Sequence, residues 1–401
     1  MHRLKKFFKT LLLPLVFILG PWFLLVAGDS LPLSLHNLSI INLVFFSLGL
    51  LLALFFDKSR YFLALLFSLA LFLIFFFDSF PSGFADNPLL FILLFVFWAN
   101  IFYLSLSREK GIFSPPGRKK LFFILIQLIA LPLLIFPNQE ILSEIFPIVL
   151  DFFDLDSSQP LIIFFLGSGV LFLCFLAFLR EDSIPITLGT VFSLSFFPFL
   201  FPNNDQAWPV FYFGLVIFLI IQTLLDLYVL AYLDELTGLP SRRSLKQDSL
   251  KISKPFSIAM VDIDHFKRVN DRYGHDTGDQ VLKYLAVLMQ KTSGVGKPYR
   301  YGGEEFAVIF PGLSKEEAIS NLEALKEKMA QKPFFIRGKR RTGKKTGEKG
   351  SQKSPGRLKI TASMGLADNR GRTNPQEVLK AADKALYKAK KGGRNKIVLS
   401  P

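Results

Sequence analysis

The sequence predicts two structures made for two solvents: a polytopic α-helical membrane bundle, then an α+β domain whose central, mainly antiparallel sheet is flanked by helices. Composition carries the first half of that reading. Of 401 residues 51% are hydrophobic, too many for one soluble domain of ordinary composition. The excess lies before residue 233. Residues 1–232 hold 12 Lys and Arg against 14 Asp and Glu, and the remainder holds 35 against 18. The second half rests on short apolar runs that alternate with amphipathic stretches after residue 233 and end in acids and glycines.

Apolar runs near 11–28, 39–56, 61–77, 88–106, 121–136, 161–179, 184–201 and 209–230 are mostly close to the roughly 20 residues that cross hydrocarbon, which predicts about eight spans. Arg3, Lys5, Lys6 and Lys9 precede the first run with no small-residue cleavage site after it, so it reads as a retained anchor. With a cytoplasmic N-terminus, all twelve cations of this half fall on the cytoplasmic side. The opposite loops carry Asp29, Asp78, Asp86, Glu140, Glu144, Asp151, Asp154, Asp156 and Asp205 and no cation. An even number of spans returns residue 233 to the cytosol. The single cysteine, Cys174, excludes an intramolecular disulfide and fits a reducing compartment.

A transporter is the rival reading of such a bundle. Transport sites need ionisable groups at membrane depth, and only Asp226 lies within a run, near its cytoplasmic end. No repeat relates the two halves of the bundle, so an anchor or a sensor is favoured. The last run has neither glycine nor proline from Leu215 onward, so helix continues out of the bilayer until Gly238 and Pro240 turn it.

Beyond residue 233 the predicted strands are Phe256–Val261, Pro298–Tyr301, Phe306–Phe310, Leu358–Gly365 and Lys396–Leu399. Predicted helices lie near 241–250, 279–290, 314–330 and 375–391. The first strand ends in Asp262-Ile263-Asp264, where a carboxylate serves equally as a Mg²⁺ ligand or as the N-cap of the next helix. Lys267, Asn270 and Asp279 supply a cation, an amide and a carboxylate able to hold a phosphate and read a guanine edge. Each of them singly reads as solvated surface, and His275 as a loop residue. The run Arg300-Tyr301-Gly302-Gly303-Glu304-Glu305-Phe306 reads as a hairpin whose turn needs φ > 0 at Gly302 or Gly303 and aims two acids outward.

Taken together, Asp262 to Asp271, Gly274 to Asp279 and Arg300 to Phe306 resemble the GGDEF family of diguanylate cyclases in its GGEEF variant. So do the opening Asp234 to Arg243, the segment Ile360 to Gly365, and Ala382 to Asn395; the likeness spans roughly 233–399. It implies a cytosolic catalytic domain over 233–401, behind a multi-pass bundle of the bacterial inner membrane, with a nucleotide cyclase or palm-like fold. Two GTP would condense to cyclic di-GMP in a homodimer. Metal ligation would fall to Asp262, the main-chain carbonyl of Ile263, and Glu304, holding Mg²⁺ or Mn²⁺, two ions per GTP. Phe266, Lys267, Asn270, His275, Asp279, Lys390 and Arg394 would bind substrate, and Glu304 or Glu305 would take the proton. A catalytically inactive GTP-binding module is the alternative.

Two departures from the family stand out. An inhibitory product site, Arg-x-x-Asp, is replaced here by Ser293-Gly294-Val295-Gly296, which predicts no inhibition through it. A basic insertion at about 337–359 carries ten Lys and Arg with Glu348 alone against them. It reads as a solvated loop, with anionic membrane lipid as its candidate partner. Nucleic acid is not expected, because no aromatics interleave the cations. The receptor of the product is not legible.

Overall fold

The computed structural model describes residues 2–26, 35–76, 88–135, 144, 159–180, 184–201, 204, 206–292, 294–331, 334–335, 357–371 and 374–401. Two compact units result, Met1–Asp226 and Leu227–Pro401. Most of the acidic loop residues of the first unit, Ser293, and the insertion up to residue 356 lie outside the described residues.

Among the described residues the first unit contains the helices α1 (His2–Val26), α2 (Leu35–Phe55), α3 (Ser59–Phe76), α4 (Pro88–Leu106), α5 (Pro115–Ile135), α6 (Gln159–Arg180) and α7 (Ile184–Phe196). The last, α8 (Ala207–Tyr232), runs six residues into the second unit. The run near 184–201 forms only 13 residues of α-helix, because Pro198 leads into a short 3-10 segment, Phe197–Leu200. Among the described residues two helical stretches are long and apolar enough to cross a membrane, Asn37–Phe55 and Ala207–Tyr232. Several buried polar groups of the unit are paired. Asn42 Nδ2 donates to Pro209 O at 2.8 Å, Asn100 Nδ2 donates to Gln127 Oε1 at 2.6 Å, and the hydroxyls of Thr190, Ser193 and Thr223 each donate to the carbonyl four residues back.

The second unit is organised on β1 (Phe256–Ile263), buried along its whole length. Burial on both faces explains its unbroken apolar composition. Ala259, Val261 and Ile263 face a core built with α10 (Phe266–Tyr273), α11 (His275–Thr292) and α12 (Lys315–Gln331). Phe256, Ile258 and Met260 face the opposite layer, α9 (Arg242–Lys251) and α13 (Pro375–Lys391). The remaining strands of the sheet are β2 (Lys297–Arg300), β3 (Glu305–Pro311), β6 (Ala362–Asp368) and β7 (Ile397–Leu399), in the order β2-β3-β1-β6-β7. The sheet is mixed, since β6 and β7 run parallel while the other neighbours are antiparallel.

Three expectations change. The strand expected over Leu358–Gly365 is two pieces: β5 (Arg357–Leu358) pairs with β4 (Phe334–Phe335) apart from the main sheet, and β6 starts at Ala362. Asp264 N donates to Thr361 O at 2.9 Å, in register one residue beyond the last ladder pair, Ile263 and Ala362. The helix expected from residue 279 begins at His275, once Gly274 at φ +83° has closed α10. Neither Gly302 nor Gly303 adopts a positive φ, because the connection from β2 to β3 is four residues long and closes through Tyr301 N and Gly302 N on Glu305 O.

Helix α13 has the sequence signals of a docked helix. Asn374 Oδ1 caps it by accepting from Gln376 N at 2.9 Å, Pro375 opens it, and Lys388, Lys390 and Lys391 sit in its last turn. Val378, Ala382, Ala385, Leu386 and Ala389 form its buried stripe. The helix lies directly on β6 at Gly365, where a Cβ would stand 2.1 Å from Leu386 N and 2.2 Å from Ala382 O. Backbone cannot yield there as a side chain can. Gly365→Ala is therefore expected to cost at least about 1–3 kcal/mol through overpacking and to raise hydrogen exchange throughout 375–391. Exchange equal to wild type in that segment would show that the close approach is not needed.

Candidate active site

The alternation of β1 that sends Ile258 and Met260 toward α13 sends Asp262 the same way. Its side chain is nearly dry, and Lys390 Nζ from the last turn of α13 stands 2.8 Å from Oδ2. Glu304 arrives from the far side of β1, since Glu305 is paired with Asp262 across the sheet. Burial pushes the Asp262 carboxyl up, Lys390 and Arg394 pull it down, Asp264 adds to the rise, and the net direction is upward. Glu304 is also pushed up, by burial first and then by the charge of Asp262. Two acids 42 positions apart in sequence thus bear on one region of charge, in which Lys390 lowers the pKa of both.

Such a region is short of positive charge, and hard oxygen donors under mutual repulsion are the donor set that Mg²⁺ or Mn²⁺ relieves. Among the described residues no three His, Cys, Asp or Glu side chains gather, so further ligands would be main-chain carbonyls, such as that of Ile263, and substrate oxygens. The residues fit the ion in kind.

The turn that carries Glu304 is held by a residue without an assigned role in the sequence. Arg300 Nε donates to Gly302 O at 2.8 Å and Nη2 to Gly303 O at 2.5 Å, while Nη1 reaches Asp234 Oδ1 at 3.1 Å. Asp234 Oδ1 also accepts from Thr237 N and Oγ1 at 2.8 and 2.6 Å. The opening Asp234-Glu235-Leu236-Thr237 segment and the Gly-Gly turn are therefore one polar assembly with Arg300 at its centre. A Cβ at Gly303 would meet nothing within 4 Å, so this side of the turn is open.

The other expected site residues divide. Asn270 packs its amide against Gly278, where a Cβ would lie 1.9 Å from Asn270 Oδ1. That oxygen is buried with no hydrogen-bond partner, the state of an acceptor that awaits a ligand donor. Asp279 follows Gly278 directly, exposed within α11. Lys267 and His275 are exposed near the starts of α10 and α11. The Phe266 ring is 6% exposed and belongs to the core, so only its backbone is available to a substrate. Arg394 is exposed in the turn after α13, with φ +62°, and is followed by Asn395 at φ +47°. Asp264 accepts from Thr361 Oγ1 at 2.7 Å, Ser363 Oγ at 2.6 Å and Asn395 N at 3.0 Å, which leaves no room for a metal. The sequence left that acid open between ligand and cap, and it is neither: the N-cap position of α10 is His265, at φ +56°.

Residues 231–356 match the family model described as diguanylate cyclase, GGDEF domain. The response regulator PleD of Caulobacter vibrioides is 35% identical over 178 residues, which cover 42% of this chain and 36% of PleD. Diguanylate cyclase DgcP of Pseudomonas aeruginosa is 35% identical over 175 residues, covering 42% of this chain and 24% of DgcP. This chain thus spans well under half the length of these curated relatives. A crystal structure of the coiled coil and GGDEF domain of DgcB from Caulobacter crescentus in complex with c-di-GMP is 30% identical and covers 45% of this chain and 91% of that one, with a TM-score of 0.38. Over residues 231–356 this chain is thus similar to the GGDEF domain of diguanylate cyclases.

Proposed function

We propose that the chain is a membrane-anchored diguanylate cyclase that condenses two GTP into cyclic di-GMP and two pyrophosphates. The convergence of Asp262, Glu304 and Lys390 is the observation that carries this reading. GTP brings about four negative charges, which Lys267, Lys390 and Arg394 together with divalent cations offset. Asp262, Glu304 and the carbonyl of Ile263 would hold the cations, which neutralise phosphate charge and acidify the 3′-hydroxyl. Asn270 Oδ1 accepts from the guanine, and Asp279 accepts from its N1–H and exocyclic amine.

A carboxylate of the Glu304–Glu305 pair takes the 3′-OH proton. The 3′-oxygen then attacks the α-phosphorus of the other GTP, and the bond to the bridging oxygen breaks as pyrophosphate leaves with its electron pair. A second such transfer closes the ring. Each domain supplies half a site, so two copies must oppose their Gly302-Gly303 turns to bring the 3′-oxygen in line.

The exterior of the first unit supports the membrane assignment. Leu12, Val16, Leu19 and Phe23 on α1, and Leu171 and Phe175 on α6, are all exposed apolar side chains, which lipid rather than water would cover. We place the remaining, shorter apolar helices in the same bilayer, with α8 as the last span.

Intact protein given GTP and Mg²⁺ should yield cyclic di-GMP by chromatography. Asp262→Asn and Glu304→Ala should each abolish it while leaving the protein folded, and residual product at the wild-type rate in either would remove the enzymatic reading. GTP binding without any product in the wild type would favour the inactive binding module. Added cyclic di-GMP at low-micromolar concentration should leave initial rates unchanged, because Ser293-Gly294-Val295-Gly296 offers no guanidinium or carboxylate to grip it. Finally, four residues inserted after Tyr228 turn the helix by about 400° and should change the rate of the intact protein. An unaltered rate would mean that α8 does not set the dimer.

A further inference from the structure

We infer that Asp264 is a positioning residue: it holds the Arg394–Asn395 turn in the one conformation that presents the Arg394 guanidinium to the triphosphate. The inference rests on the nucleotide-binding part of the reading above and assigns a role to the one acid of the Asp262-Ile263-Asp264 run that the chemistry does not use.

Asp264 is 7% exposed and its carboxylate receives three donors. Ser363 Oγ, on β6, takes Oδ1 at 2.6 Å. Thr361 Oγ1, just before β6, and the main-chain N–H of Asn395 share Oδ2 at 2.7 and 3.0 Å. The first two donors fix the carboxylate. The third is held by it.

That third donor belongs to an unusual stretch of backbone. Gly393, Arg394 and Asn395 lie in succession at φ +102°, +62° and +47°. Glycine adopts such values freely, whereas for arginine and asparagine they persist only when the surroundings impose them. On one side the imposition comes from α13, whose end accepts Arg394 N at Ala389 O, 3.1 Å. On the other it comes from Asp264. Without that acceptor the Asn395 N–H would be left unpaired beside β6, and the turn would relax toward ordinary dihedrals. The guanidinium of Arg394, whose charge is felt at Asp262 in the present arrangement, would then swing with its backbone.

The test is binding of GTP and of GMP to the full chain in detergent, by calorimetry with Ca²⁺ in place of Mg²⁺ so that chemistry does not intervene. Arg394 grips only the β- and γ-phosphates in this assignment, so GMP serves as the control for a general collapse of the pocket. Asp264→Ala should weaken GTP about tenfold, as Arg394→Ala does, by loss of one charge-assisted phosphate contact, and should leave GMP unchanged. The double variant should bind GTP no more weakly than Arg394→Ala alone.

Asp264→Asn should restore near wild-type binding, because its amide oxygen still accepts from Asn395 N while the Ser363 hydroxyl turns to accept from the new NH₂. If Asp264→Ala does not accumulate, Asp264→Ser carries the same expectations, since its hydroxyl is too short to reach Asn395. Wild-type GTP affinity in the truncated variant, a double variant whose losses multiply, an equal loss of GMP, or an Asp264→Asn as defective as Asp264→Ala would each overturn the inference. Chromatography of the wild-type product judges the cyclase reading separately, and an inactive chain that binds GTP leaves this test intact.

Discussion

The contact on which the site depends is the approach of α13 to β6 at Gly365, where helix backbone meets strand backbone with no side chain between. A helix on a sheet ordinarily stands off by the thickness of its side chains. Here the missing Cβ lets the C-terminal turn of α13 come down beside the end of β1, and Lys390 reaches Asp262. The turn after the helix then falls where Asp264 can bond it. One absent methyl thus sets the place of two of the three cations expected to hold phosphate, Lys390 and Arg394.

Around that contact the electrostatics are frustrated in a way that suits a polyanion with cations. Burial raises the pKa of both Asp262 and Glu304, the charge of Asp264 raises Asp262 further and that of Asp262 raises Glu304, and Lys390 offsets only part of the cost. Structural carboxylates in the same unit behave differently. For Asp248 burial acts against the charge, but Lys297 and the buried Tyr299 hydroxyl outweigh it and hold the carboxyl below its usual range. Asp264 has all its donors supplied by the protein. Asp262, by contrast, is met by one cation, Lys390, and its carboxyl is still pushed up.

The two units meet the same physical problem, an obligation to pair every buried polar group, under different conditions. In the first, the hydroxyls of Thr190, Ser193 and Thr223 fold back on their own helices and the amide nitrogens of Asn42 and Asn100 find partners on other helices. In the second, Arg300 serves carbonyls of the turn and the carboxylate of Asp234 at once. That arrangement makes the opening segment of the unit part of the scaffold of the Gly-Gly turn rather than a linker.

Much of the site was legible because its residues are adjacent in the chain to features that local rules read. Asp262 ends an apolar strand and Glu304 follows two glycines, which residue type and spacing read, whereas the roles of Lys390 and Arg394 came only from the resemblance to the family. Strand pairing was less legible: one strand was expected where β5 and β6 form two, because each piece pairs with a partner remote in sequence, β4 for one and β1 for the other. The left-handed φ expected at Gly302 or Gly303 is absent, because the length and closure of the turn, and not the presence of glycine, decide its dihedrals. What the amino-acid order determined by itself was the contrast between an apolar first part and a charged second, the helices and core strands, and the inventory of acids and cations. Only the tertiary structure decided which of those charges are neutralised by the protein and which are left for a ligand, because that depends on side chains brought together from β1, β3, β6 and α13 across more than a hundred positions of sequence.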